Sequence, residues 1–139
     1  MTNTALTRSL LALRLGVFIV MLMWTLDKFF NPSHTGAVFS NFYGIENVPA
    51  NTFTVLACLQ LLVVLAFVSG SFRRLSYGLI LIMHGISTLS SWRQYLAPFD
   101  HLLFFAAWPM LAACLALYWL REEDNLLSVD GWRSVNKEH

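Results

Sequence analysis

Charge is what this sequence has least of. Of its 139 residues, 12% are Asp, Glu, Lys or Arg, against 57% hydrophobic. Soluble domains carry about 25% charged residues, so half that supply cannot coat a water-facing globule. The net charge is only +1 and the Lys and Arg residues are scattered, which excludes a basic nucleic-acid binder. The apolar content equally excludes intrinsic disorder. Cysteine is scarce too: Cys58 and Cys114 cannot build a disulfide framework and form no C-x-x-C pair. Each sits in an apolar run and reads as a small buried thiol. A signal peptide is also missing. Only Arg8 precedes the first apolar stretch, which is too long for a signal sequence and lacks a small-residue cleavage site, so it is expected to stay as a helix.

What is present is four apolar runs, at residues 10–30, 52–68, 75–92 and 101–120. At about 1.5 Å rise per residue each reaches across a hydrocarbon core of about 30 Å. The expected fold is all-α, an integral-membrane four-helix bundle embedded in a lipid bilayer. Residues 1–9 form a short N-terminal tail and residues 121–139 a C-terminal tail, polar and mixed in charge, either a surface helix or a disordered end.

The connections fit four spans. Ser69, Gly70 and Ser71 before Arg73-Arg74 make a tight turn, and Pro98 lies in another short connection. Between residues 31 and 51 the chain is longer. Pro32 stops the first helix, and Val38, Phe39, Phe42 and Tyr43 then recur at helical spacing before Gly44 and Pro49. That pattern predicts a short interfacial helix with its aromatic face towards lipid. If both termini share a side with the Arg73-Arg74 turn, that side holds Arg8, Arg14, Arg73, Arg74, Arg121, Arg133 and Lys137, and the other only Lys28 and Arg93. Such asymmetry predicts that both termini are cytoplasmic, and the expected location is a bacterial inner membrane.

Ionisable groups inside a span are expensive, so they are candidates for function. Arg14 lies about one turn into the first span, where its side chain can snorkel to the headgroups. Asp27 and Lys28 lie near the outer end of that span; they either mark the interface or turn inward to partners on other helices. In the third span His84, Ser87, Thr88 and Ser91 recur at i, i+3, i+4 and i+7 and line one face. A polar stripe cannot face lipid with its hydrogen bonds unmet, so it is expected to pack inward or against another subunit. Arg93, Asp100 and His101 complete an outer-half set, which predicts a polar pocket opening outward. His84 and His101 are the one conceivable pair of metal or haem ligands, but they lie at different depths, and no metal is assigned. Pro109 removes a backbone donor in mid-span and predicts a kink.

These residues resemble a family. Leu13-Arg14-Leu15-Gly16, followed by Leu26-Asp27-Lys28-Phe29-Phe30-Asn31-Pro32, is similar to the opening of DoxX-type membrane proteins. The run from Val38 to Ile45 resembles that family's interfacial aromatic segment, and the hairpin from Leu59 through Arg73-Arg74 its second and third helices. The resemblance spans about residues 10 to 120. It departs at Gln60, where family members often carry Glu, which removes a proton-linked role for that position. The family includes small subunits of thiosulfate–quinone oxidoreductase and of terminal quinol oxidase assemblies.

The resemblance and the absence of a nucleotide loop or paired cysteines imply an accessory membrane subunit of a larger redox or respiratory complex, with other membrane proteins as partners. One alternative is a quinone-linked oxidoreductase subunit acting on a quinol or small sulfur substrate, with His84 or His101 taking protons while Lys28 and Arg93 hold an anion or quinone carbonyl. Another is a small-molecule carrier. No cofactor is assigned; quinone or haem would belong to the oxidoreductase alternative.

Overall fold

The computed structural model describes residues 3–137; the extreme tips of the two expected tails lie outside the described residues. The first helix, α1 (Thr4–Phe30), begins where the Asn3 side chain accepts the Leu6 backbone N–H. It therefore takes in most of the expected N-terminal tail. Pro32 opens α2 (Pro32–Val38), which runs into one π-helical turn (Phe39–Tyr43) closed by Gly44 at φ 66°. Then follow α3 (Ala50–Val68), α4 (Arg73–Ser90), the short α5 (Trp92–Tyr95), two 3-10 turns (Pro98–Asp100 and Leu102–Ala106), α6 (Ala107–Trp119) and α7 (Val129–Val135). No strand occurs among the described residues.

Three helical stretches are long and apolar enough to cross a membrane: Thr4–Phe30, Ala50–Val68 and Leu102–Trp119. Large apolar side chains such as Ile19, Met23, Val55, Leu62 and Leu103 point outward from them, the surface expected of a membrane protein. α4 is equally long at 18 residues, but Arg73, Arg74, Ser76, His84, Ser87, Thr88 and Ser90 make it more polar. Most of this polarity falls on one side, though Arg74 and Ser87 are exposed. Arg73, Ser76, Tyr77, Ile80, His84 and Thr88 are buried, while Leu75, Ile82, Ile86 and Leu89 are exposed.

The four long helices pack in ring order: α1 on α3, α3 on α4, α4 on α6, and α6 back on α1. The main apolar core lies in the half nearer the chain termini. Leu10, Val17 and Met21 of α1 meet Val64 and Phe67 of α3, Tyr77 and Ile80 of α4, and Cys114 and Leu117 of α6. Cys114 is thus a buried thiol, but Cys58 is exposed on the outside of α3, among exposed apolar side chains such as Val55 and Leu62.

Two further expectations shift. The aromatic residues after α2 pack on the molecule instead of pointing away from it: Phe39 meets Phe53 edge-on at 5.2 Å, and Phe42 stacks on Phe104 at 5.9 Å. Covering α3 and the start of the last span gains packing that lipid does not supply. The strain expected around Pro109 is taken up one turn earlier. Without a Pro109 N–H the Phe105 carbonyl has no i+4 donor, and the preceding residues tighten into the 3-10 turn Leu102–Ala106, where Phe104 N–H donates to the His101 carbonyl at 3.1 Å.

Gly70, in the turn between α3 and α4, is the tightest joint. Its φ is +66°, and a Cβ there would lie 2.5 Å from Ser128 Oγ and 2.6 Å from Arg14 Nη1. Gly70→Ala is expected to destabilise the protein by about 1–3 kcal/mol, read as a lower melting temperature in detergent. Gly16→Ala, with nothing near its missing Cβ, is the control and should leave the melting temperature unchanged or raised.

Candidate functional site

The densest polar cluster lies at the end that holds both termini, and the C-terminal segment builds it. Arg14 projects from α1 and is fully buried, instead of snorkelling to a headgroup. It shares the packed face of α1 with Leu10, Val17, Met21 and Thr25, at helical spacings of three or four. Its guanidinium lies 3.6 Å from the Asp124 carboxylate, also fully buried. Between them stands Tyr77 of α4, which accepts from Arg14 Nη1 at 3.3 Å and donates to Asp124 Oδ2 at 2.6 Å. Arg14 Nη2 donates to the Leu126 carbonyl at 2.6 Å and the Leu127 carbonyl at 3.2 Å. Arg14 Nε and Asp124 Oδ1 are buried without a hydrogen-bond partner among the described residues.

Around this triad the tail is tied down. Arg73 Nη1 donates to the Asp124 carbonyl at 2.9 Å and to Asn125 Oδ1 at 3.0 Å. Asp130 Oδ2 accepts the Arg73 backbone N–H at 3.0 Å, so a carboxylate from α7 caps the N-terminus of α4, where the helix dipole favours negative charge. Val129 and Asp130 donate backbone N–H groups to the Ser69 and Gly70 carbonyls. Ser128 Oγ donates to the Gly70 carbonyl and accepts from Gly131 N–H, capping α7. Chemically this is a clasp: a charge-neutral, almost fully hydrogen-bonded joint between α1, α4 and the tail.

The outer-half candidates are not gathered into one pocket. His84, Thr88 and Ser91 share the buried face of α4, but Ser87 is exposed beside them. His84 Nε2 donates to the Ala107 carbonyl at 3.0 Å, joining α4 to α6 just before Pro109, and Thr88 Oγ1 lies 3.3 Å from the same nitrogen. Tyr95 donates to the Thr88 carbonyl at 2.8 Å, and burial pushes its phenol above the ordinary tyrosine range. Lys28 folds back onto the Trp24 carbonyl of its own helix. Arg93 is exposed and lies over the Trp92 ring, Asp100 is exposed, and His101 meets Phe104 edge-on.

Asp27 finds a partner that spacing alone did not single out. His34 Nδ1 donates to Asp27 Oδ2 at 2.7 Å, while the His34 ring stacks near Trp24. Thr35 also reaches Asp27 Oδ2, at 3.4 Å. The signal for this was the Asn31-Pro32 break, which turns the chain back so that residues seven and eight positions on fold over Asp27. Surface clefts lie elsewhere: one of about 330 Å³ between the π-helical turn and α3, lined by Gly36, Ser40, Glu46 and Phe53 among others, and one of about 270 Å³ beside Phe72 and Arg74. Among the described residues no three His, Cys, Asp or Glu side chains gather as a metal cage. His84 Nε2 is committed to the Ala107 carbonyl.

Compared with family models, curated proteins and solved structures, the chain matches none of them.

Removing one partner of a buried ion pair strands the other charge, at about 3–5 kcal/mol, whereas replacing both with apolar side chains is often close to neutral. Arg14→Met and Asp124→Leu should each lower stability by that order. The double variant should lose clearly less than the sum, read from unfolding curves in detergent. Additive losses would show that the two charges do not act together.

Proposed function

We propose that this chain is a small four-span membrane subunit that packs against a larger redox or respiratory complex in a bacterial inner membrane. In this arrangement α4 is the third of the four spans, both termini are cytoplasmic, and the fold is of DoxX type. One observation carries the reading: the polar side chains deep in the helices are engaged in joining this chain's own helices. Arg14, Tyr77 and Asp124 clasp one end, and His84 ties α4 to α6. What the long helices present outward is apolar, including Ile19, Leu62, Ile86 and Leu89, a surface that fits lipid and the apolar helices of a partner. The largely one-sided polarity of α4 supports a span whose hydrogen-bonding face is turned to its neighbours.

Topology offers a direct check. Ser33→Cys and Asn136→Cys place thiols at exposed positions expected on opposite sides of the membrane. A membrane-impermeant maleimide added to intact cells should label the first and spare the second. Labelling of both would mean that α4 does not cross. Affinity purification of the full chain from native membranes in mild detergent tests the role itself. Stoichiometric co-elution of oxidase or dehydrogenase subunits is the expected result; recovery of the chain alone, with turnover of its own, would overturn it.

A further inference from the structure

The C-terminal segment carries a second feature beside its buried clasp: an apolar outer face. The N-terminus of α7 is bonded to Ser69 and Gly70, the residues that directly follow the apolar helix α3. α7 is therefore pinned at the depth where a span ends, across the bundle end instead of trailing away from it. From this position Trp132 is 68% exposed, Leu127 78% and, in the neighbouring turn, Phe72 65%. Val135 lies one turn beyond Trp132 on the same side and is 58% exposed. Gly131 is buried against the preceding turn, where an added Cβ would lie 2.9 Å from the Asn125 carbonyl oxygen. Charge accompanies the apolar face. The Arg133 guanidinium lies over the Phe72 ring at 5.8 Å, and Arg74 is exposed beside it.

We propose that α7 and the α3–α4 turn form an interfacial anchor, with Trp132, Val135, Leu127 and Phe72 seated at the headgroup–acyl boundary and Arg74 on lipid phosphates. Three observations select phospholipid as the occupant. Phe72 leads directly into α4, whose Leu75, one turn on, is exposed as well. Indole and guanidinium together suit a zone that is apolar on one side and wet on the other. The carboxylates most deeply placed here are already engaged, Asp124 with Arg14 and Tyr77, and Asp130 with the N-terminus of α4 and, at 3.8 Å, with Arg133, which leaves Arg74, with no carboxylate in ion-pair distance among the described residues, to meet anionic headgroups. The anchor concerns the lipid, whatever complex the chain joins.

Fluorescence quenching in bilayers tests this with the full-length protein. The variant keeps Trp132 and replaces Trp24, Trp92, Trp108 and Trp119 with Phe. Phospholipid brominated high on its acyl chain should quench Trp132 several-fold more strongly than aqueous iodide, and more strongly than lipid brominated near the chain end. Stronger quenching by iodide would place the patch in water and overturn the anchor. Quenching by neither would mean that protein covers it, and would overturn the anchor equally. If the four replacements prevent folding, the natural protein minus Trp132→Phe gives the Trp132 signal by difference, with the same outcomes deciding. Failure here would leave co-elution with redox subunits untouched, so the two proposals stand or fall separately.

Discussion

A guanidinium placed inside a helix bundle has to be answered, and Arg14 sets that demand for the whole of one end. Leaving a charge unpaired at that depth costs several kcal/mol. The chain meets the demand with a carboxylate from the tail, a phenol from α4 and two backbone carbonyls. Satisfying it fixes the course of the polypeptide after α6: Asp124 must come inward, Leu126 and Leu127 must turn their carbonyls to α1, and the chain must then pass over Gly70. The left-handed conformation of Gly70, the missing side chain there, and the capping of α4 by Asp130 are all consequences of that route.

The remaining polar groups of the helices work on a smaller scale. His84 holds α4 to α6, and Tyr95 holds α5 to α4, each by a single hydrogen bond worth on the order of 0.6 kcal/mol in a membrane bundle. Asp27 and His34 fold α2 over the end of α1. The main apolar core sits in the same half as the Arg14 clasp, so that half is held by both packing and charge. The opposite half depends on aromatic contacts, Phe39 with Phe53 and Phe42 with Phe104.

The long helices were legible because runs such as 52–68 leave little choice about environment, and the α4 stripe because its period is helical. His84, Thr88 and Ser91 fall within one narrow arc. Ser87 lies about 60° round from His84 and slips outside it. The clasp was not legible for a different reason. An arginine one turn into a span has an inexpensive escape by snorkelling, and Asp124 reads as one acid among Glu122, Glu123 and Asp130 in a mixed-charge tail. Nothing local pairs residues that far apart; only the packed face of α1 hinted that Arg14 points inward. The outer set failed to converge because helix ends offer local partners, such as the Trp24 carbonyl for Lys28, and these cost less order than a common pocket.

The clasp also has a place in the order of synthesis. Arg14 emerges from the ribosome with the first helix, while Asp124 follows only after all four long helices have been made. Until then the arginine lacks the carboxylate that pairs with it in the finished fold. A residue that follows the last long helix thus pairs with one of the first. A product cut short before Asp124 would carry every long helix and still hold an unanswered charge, which gives the cell a chemical mark by which an unfinished copy differs from a finished one.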